Sequence, residues 1–343
     1  MRIAIVDRKT SFSDRWLLYC KGQGIDYKIV DPYRNDIIQQ VEDCDALMWH
    51  FHQSNYKDMQ MAVALLTSVS KSGKKVYPNP DTCWHFDNKV AEKYLLEAVD
   101  APLVRSYVFF TKREAMEWAK ETSFPKVFKL KGGAGACNVK LAHTRDEAVA
   151  LIQKAFGKGF LQYDWHSTFK EQLIKYKAGK VSVRDVLRPL YYATKRYPTE
   201  YAHYRQNEIG YIYFQDFIPG NTYDVRVCIV GNKAFAIRRN CRKNDFRASG
   251  SGDIVYDVDQ IDTRCVEIAF DLNKKLKCQS VGFDFVFDAN GNPLIIECSY
   301  GFTAKGYDAC EGYWTTDMKW HAGCGFDFCG WMVEDLISEL HHE

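Results

Sequence analysis

The chain has 343 residues, 46% hydrophobic and 26% charged, with a formal net charge of +2. That length allows two or three domains with well-filled cores, and the near-neutral charge gives no general attraction for nucleic acid or an anionic membrane. No apolar run approaches the roughly 20 residues of a membrane span. The opening MRIAIVD already reads as a strand without a signal-peptide pattern, so a cytoplasmic protein with no membrane span and no nucleic-acid partner is expected.

The first segment alternates short apolar runs with helical periodicity. Strands are predicted at Arg2–Val6, Tyr27–Val30, Ala46–Trp49 and Lys75–Tyr77, and helices at Phe12–Lys21 and Tyr56–Ser70. Strands alternating with helices imply a small parallel α/β domain, here residues 1–84. No GxGxxG accompanies the first strand, which argues against a dinucleotide site.

A helix carrying Lys89 is predicted over Trp84–Ala98, followed by a strand at Val104–Phe109, a helix at Lys112–Lys120 and a strand at Lys126–Lys131. The loop Gly132-Gly133-Ala134-Gly135 comes next, then a strand at Val139–Ala142 and a helix at Arg145–Phe156. Glycines let backbone N–H groups approach phosphate oxygens, and Lys129 and Lys131 bring charge beside them. The GxxxxGK[ST] pattern of a P-loop is absent, and a plain strand-to-strand turn accounts for the glycines equally well. Residues 158–207 break the rhythm with many lysines and arginines among tyrosines. They read as a basic insertion with a solvated face or as a docking patch for an anionic partner.

Beyond Gly210 the chain is β-rich, with strands at Tyr211–Phe217, Tyr223–Val230 and Lys233–Arg239, a helix at Thr263–Leu276 and a closing helix at Trp331–Leu340. Gly231-Asn232 marks a hairpin that sets Asp224 opposite Arg239 with Arg226 on the same face. The pair is structural or it orients an anion site, since arginine's planar fork suits phosphate oxygens.

A second hairpin, VGFDFVFDANGNPLIIECSYGF at 281–302, turns at Asn290-Gly291, so Asp284 should face Glu297. Strand alternation then places Gly282, Asp284, Val286, Ile295, Glu297 and Ser299 on one face. Phe283, Phe285, Phe287, Leu294, Ile296 and Cys298 fall on the other. Like charges opposed in a sheet repel, so a shared proton or a bound cation is expected to offset them, and paired hard oxygen ligands suit magnesium carrying nucleotide phosphates.

Twelve cysteines show neither CxxC pairs nor a disulfide framework and are expected to be reduced, acting as small hydrophobes. Cys310, His321, Cys324 and Cys329 carry zinc-type ligands at intervals that match no standard zinc module.

Taken in order, Lys89, Lys129 with its glycine loop, Gln215-Asp216-Phe217-Ile218, Asp224-x-Arg226, Asn244-Asp245-Phe246-Arg247, Asp284 and Glu297-x-Ser299 resemble the ATP-grasp superfamily. Within it they are most similar to carboxylate–amine ligases of the ribosomal-protein glutamate ligase type. The resemblance covers about residues 85–302. It implies an α/β fold in which the N-terminal domain precedes a two-lobed ATP-grasp domain, residues 85–217 and 218–343. It implies that Lys89, Lys129, Lys131, Gly133, Gly135, Asp216, Ile218 and Asp224 contact ATP. Arg226, Arg239 and Arg247 would stabilise the transferred phosphoryl group, and Asp284, Glu297 and Ser299 would hold magnesium, or manganese in its place. Aspartate replaces the family's usual hinge glutamate, and FRASGSGD lacks its usual asparagine. Ser299 stands where a metal-binding asparagine is usual, so the resemblance supports one metal site and leaves the second open.

The implied reaction joins small-molecule carboxylate and amine substrates, with a carbohydrate acceptor suggested by similarity to surface-polysaccharide ATP-grasp proteins. A homo-oligomer is compatible with it. An ATP-grasp phosphotransferase and an inactive nucleotide-binding scaffold are the competing classes.

Overall fold

The structure, a computed structural model, describes residues 1–133, 138–161, 168–169, 172–173, 176, 179, 181–194, 207–242 and 245–341. Gly135, Asn244 and much of the basic stretch at 158–207 therefore lie outside the described residues. Two compact units are present. The first comprises Met1–Gln53, Lys57–Val104 and Ile218–Glu343, and the second Ser54–Tyr56 and Arg105–Phe217.

The first unit opens with a parallel sheet of β1 (Arg2–Val6), β2 (Asp26–Val30), β3 (Ala46–Met48) and β4 (Lys75–Tyr77), in the order β2-β1-β3-β4. Helices α1 (Phe12–Gln23) and α2 (Tyr56–Lys71) lie on the connections, as the alternating pattern requires. β1 and β3 are buried along nearly their whole length, which is why they read as continuous apolar runs. Helix α3 (Lys89–Ala98) starts later than predicted. Asp87 takes a left-handed backbone, φ 53°, and Asn88 accepts the Ala91 N–H through its side chain, so Trp84–Asp87 cannot join the helix.

In the second unit, β5 (Ser106–Phe109), β6 (Lys126–Lys129), β7 (Lys140–Ala142) and β8 (Ile212–Asp216) form an antiparallel sheet ordered β5-β8-β6-β7. Helices α4 (Lys112–Glu121) and α5 (Arg145–Ala155) pack small side chains, Ala115, Ala119 and Ala148, against Phe128 and Phe214. Helix α6 (Val183–Ala193) is the longest described element of the basic stretch.

The first unit resumes with a seven-stranded sheet of β9 (Tyr223–Val230), β10 (Lys233–Asn240), β11 (Ile254–Val255), β12 (Ser280–Phe287), β13 (Pro293–Ser299), β14 (Gly312–Thr315) and β15 (Trp320–Ala322). Its main path runs β13-β12-β9-β10-β14-β15, with β11 on β10. Helix α7 (Thr263–Leu276) buries Cys265, Val266, Ala269 and Phe270 against one face, with Val225, Val227, Phe283 and Phe285. On the other face, Cys228, Phe235 and Ile237 share a core with Phe12 and Trp16 of α1 and with Met332 and Leu336 of α8 (Phe328–His341). One continuous core thus links the opening α/β layer to the strands that carry the acids.

The β9–β10 hairpin has the expected register, Asp224 opposite Arg239. In the β12–β13 hairpin Asp284 does face Glu297, but by a different route. Asp288 and Asn292 close a three-residue loop, and Gly291 takes φ 75°, the left-handed position of a type I turn with a glycine bulge. That loop alone would set Ile296 opposite Asp284. A β-bulge at Ile296 shifts the register by one and brings Glu297 into line. The predicted faces are accordingly corrected. Ile295 is fully buried with Phe283 and Phe285 in the core, whereas Leu294 and Ile296 are only half-buried.

Candidate functional site

Adjacent strands bring the predicted residues of the first unit into one charged row. β12 pairs with β9 so that Asp284 lies beside Arg226 on one side and Glu297 on the other. Arg226 grips Asp284 with both Nε and Nη2, the latter at 2.8 Å. Arg239 bridges two acids, donating to both Asp224 oxygens at 2.7 and 2.6 Å and lying 2.9 Å from Asp284 Oδ2. At the far end, Lys89 Nζ is 3.7 Å from Glu297 Oε1. The cations that offset the opposed carboxylates are thus side chains of the protein itself. Sequence reasoning, which weighed only a shared proton or a bound metal, missed this.

The site is dry at its centre. Asp284 is 3% exposed and Arg239 7%, while the Glu297 side chain keeps 29% of its surface. Burial alone pushes the Asp284 carboxyl up, but the charges of Arg226 and Arg239 outweigh it and hold the group down at about 2. Asp224, with one guanidinium gripping it and Asp284 near, is pushed up by its burial. Burial also opposes the charged form of Lys89, yet Glu297, Glu92 and Asp87 raise it above the ordinary lysine value. The acids Glu92 and Asp87 were not singled out from sequence, although both lie within three residues of Lys89.

Whether this donor set suits a divalent cation follows from counting lone pairs. A carboxylate offers about four acceptor positions, and the guanidinium hydrogens use three on Asp284, leaving one on Oδ1. Glu297 adds a partly exposed carboxylate facing it. Ser299 Oγ accepts the Gly301 N–H at 3.2 Å and offers only a hydroxyl. Among the described residues no cluster of three or more His, Cys, Asp or Glu could hold a metal. Two hard oxygen donors without a protein cage fit magnesium that brings phosphate oxygens with it, not a stand-alone structural ion. The Cys310, His321, Cys324 and Cys329 set forms no such cluster either. Cys310 and Cys329 are core residues, and the His321 ring is stacked on Tyr313.

Arg247 stands apart from the row in its bonding, since Asp245, two residues earlier, holds it at 2.6 Å. Ile218 accepts a bond from the Asn221 side chain through its carbonyl at 3.3 Å. In the second unit, Lys129 is 7% exposed and donates to Gln215 Oε1 at 2.7 Å, and Asp216 is paired with Lys126 at 2.6 Å. The β6–β8 register, Lys126 opposite Asp216, creates that pair, and Lys126 was not among the predicted residues. The Lys131 N–H donates to Tyr211 Oη at 2.7 Å, and Gly133 has a left-handed backbone, φ 114°.

The described cysteines are all free, and burial pushes buried thiols such as Cys228 and Cys265 up to about 12. Among the described residues no helix is long and apolar enough to cross a membrane.

Residues 204–313 match the family model of the RimK-like ATP-grasp domain. The chain is similar in structure to a RimK domain protein ATP-grasp from Sphaerobacter thermophilus, with TM-score 0.56 and 14% identity over 98% of this chain and 100% of that one. It is also similar to D-alanine–D-alanine ligase from Bacillus anthracis, with TM-score 0.58 and 13% identity over 100% of this chain and 99% of that one. A third similar structure is the biotin carboxylase domain of the Hydrogenobacter thermophilus 2-oxoglutarate carboxylase, in complex with MgADP and bicarbonate. It gives TM-score 0.59 and 12% identity over 98% of this chain and 69% of that one. No curated protein matches the chain by sequence. The fold is ATP-grasp, as the order of the sequence motifs implied.

Proposed function

We propose that this chain of ATP-grasp fold is an ATP-dependent ligase that joins a carboxylate to an amine through an acyl phosphate. The observation that carries the proposal is the row Lys89, Glu297, Asp284, Arg226, Arg239 and Asp224, in which buried cations are held rigid by acids on neighbouring strands. Such preorganised charge is what phosphoryl transfer requires, because catalysis there is mainly positioning and electrostatics.

In the first step a substrate carboxylate oxygen bonds to the terminal phosphorus of ATP, the bond to the bridging oxygen breaks, and ADP leaves. In the second, the amine nitrogen attacks the acyl carbon, loses a proton and expels inorganic phosphate. Arg226 and Arg239 each keep their Nη1 hydrogens clear of the Asp224 and Asp284 bonds, so both can donate to the oxygens on which charge grows. Asp224 and Asp284 act through them as positioning residues. Magnesium held by Asp284 Oδ1 and Glu297 would supply Lewis-acid charge at the phosphate oxygens. The nucleotide roles implied for Lys129, Lys131 and Asp216 are proposals of the same kind, each open to its own substitution.

The test is phosphate release from ATP that depends on both an acid and an amine, screened first with amino acids, sugar acids and amino sugars. A kinase would yield ADP without free phosphate when its acceptor is present, and a scaffold would yield neither. Glu297→Gln should lower turnover by about a hundredfold or more with little change in melting temperature. Retained activity in that variant would remove Glu297 from the metal site.

A further inference from the structure

The parallel sheet of the first unit has a switch point that the ligase chemistry leaves unused. From β1 the chain crosses to β2 on one side, then returns to β3 on the other. In open α/β sheets ligands bind at the carboxyl ends of strands where the order reverses in this way. Arg8 follows β1, and His50 and His52 follow β3, so all three stand at that edge.

Among the described residues no carboxylate pairs with Arg8, and its Nε is buried without a hydrogen-bond partner. Arg8 as a whole is only half-buried, but an Nε sealed from water without an acceptor still costs about 1–3 kcal/mol, which a bound anion would relieve. The Arg8 charge is felt at His50, His52, Asp58 and Tyr300. Asp58 feels that charge but makes no ion pair with it, its carboxylate instead accepting the Tyr33 hydroxyl and the His52 N–H, the latter at 2.7 Å.

The histidines add donors but no charge. His50 Nδ1 accepts the Phe12 N–H at 3.2 Å, which places its proton on Nε2, and Ser11 Oγ lies 2.9 Å from the same Nδ1. Ser11 is the first residue before α1 and makes no capping bond to that helix, so the positive end of α1 adds to the field. Burial first, then Arg8, holds His52 down at about 4. The edge also adjoins the reaction row. Tyr300 follows Ser299 directly, bonds the Phe51 carbonyl at 3.0 Å and lies 6.1 Å from the His50 ring.

We infer that the sheet edge at the carboxyl ends of β1 and β3 binds an anionic group of the acceptor substrate, a carboxylate or a phosphate, with Arg8 as its counter-charge. Only the word "acceptor" rests on the ligase reading. The anion site stands on Arg8 and its surroundings.

Calorimetric titration of the full chain, without ATP, with malonate, inorganic phosphate and neutral malonamide tests it. Malonate or phosphate should bind, malonamide should not, and Arg8→Met should weaken the anion at least tenfold while melting no lower than the parent. Binding of malonate alone identifies a carboxylate, and binding of phosphate alone a phosphate ester. Failure of both anions to bind, or equal binding in Arg8→Met, overturns the inference. In the unaltered chain the bound anion should raise the His52 titration followed by NMR, because it cancels the Arg8 charge. A His52 titration that does not move also overturns the inference. A ligase assay that fails while the anion still binds would count against the reaction and not against this site.

Discussion

Asp284 receives three guanidinium hydrogen bonds and faces a second carboxylate, so its charge is both the most stabilised and the most constrained in the row. Its folded-state value of about 2 lies below the ordinary 3.8. A depressed carboxylate contributes stability that is complete above the unfolded value and lost as pH falls through the folded one. The contribution, about 2 kcal/mol, should therefore disappear between about pH 4 and pH 2. Urea unfolding across that range, in the parent and in Asp284→Asn, checks it, because the variant should lack this segment of the pH dependence. At neutral pH the same variant should lose about 3 kcal/mol, since two buried guanidiniums are left short of an anion. Arg8 is the contrasting case, a guanidinium that forms no ion pair among the described residues, and its removal should leave stability intact.

At the scale of elements, the features that place the site are a cap, a turn and a bulge. Asn88 starts α3 one residue before Lys89, so Asn88→Ala should cost about 1 kcal/mol and loosen the turn that carries the lysine. Its KM for ATP should rise more than its kcat falls. Gly291→Ala forces a side chain into a left-handed position and should cost about 1 kcal/mol in thermal unfolding while turnover is retained, because the loop lies at the opposite end of the hairpin from Glu297. The hairpin also shows how far local signals reach. Asn290-Gly291 identified the turn, but the Asp288 side chain accepts the Asn290 and Asn292 N–H groups, each at 2.8 Å, and selects a three-residue loop. A second irregularity at Ile296 restores the acid pairing that simple alternation had placed there. An Asp-x-Asn-Gly-Asn run signals the first of these in sequence. No residue type signals the second.

For the whole molecule, the site has too few protein oxygens among the described residues to hold a dication alone. Manganese without nucleotide should bind weakly, and ATP should tighten it at least tenfold, measured by electron paramagnetic resonance of free manganese. Magnesium with ATP should likewise raise the melting temperature where magnesium alone does not.

The sequence by itself determined what depends on neighbours along the chain: the alternating α/β opening, the two hairpins, the Asp224–Arg239 pairing and the order of motifs that implied an ATP-grasp fold. Tertiary structure decided what depends on which strands become neighbours across long separations. β9 beside β12 sets Arg226 against Asp284, with Arg239 reaching the same acid from β10, β6 beside β8 gives Asp216 its Lys126, and β1 beside β3 gathers Arg8 with two histidines. The physical reason is range. Turn chemistry and side-chain alternation act over a few residues, whereas charge pairing in a buried site depends on the whole core that brings distant strands together.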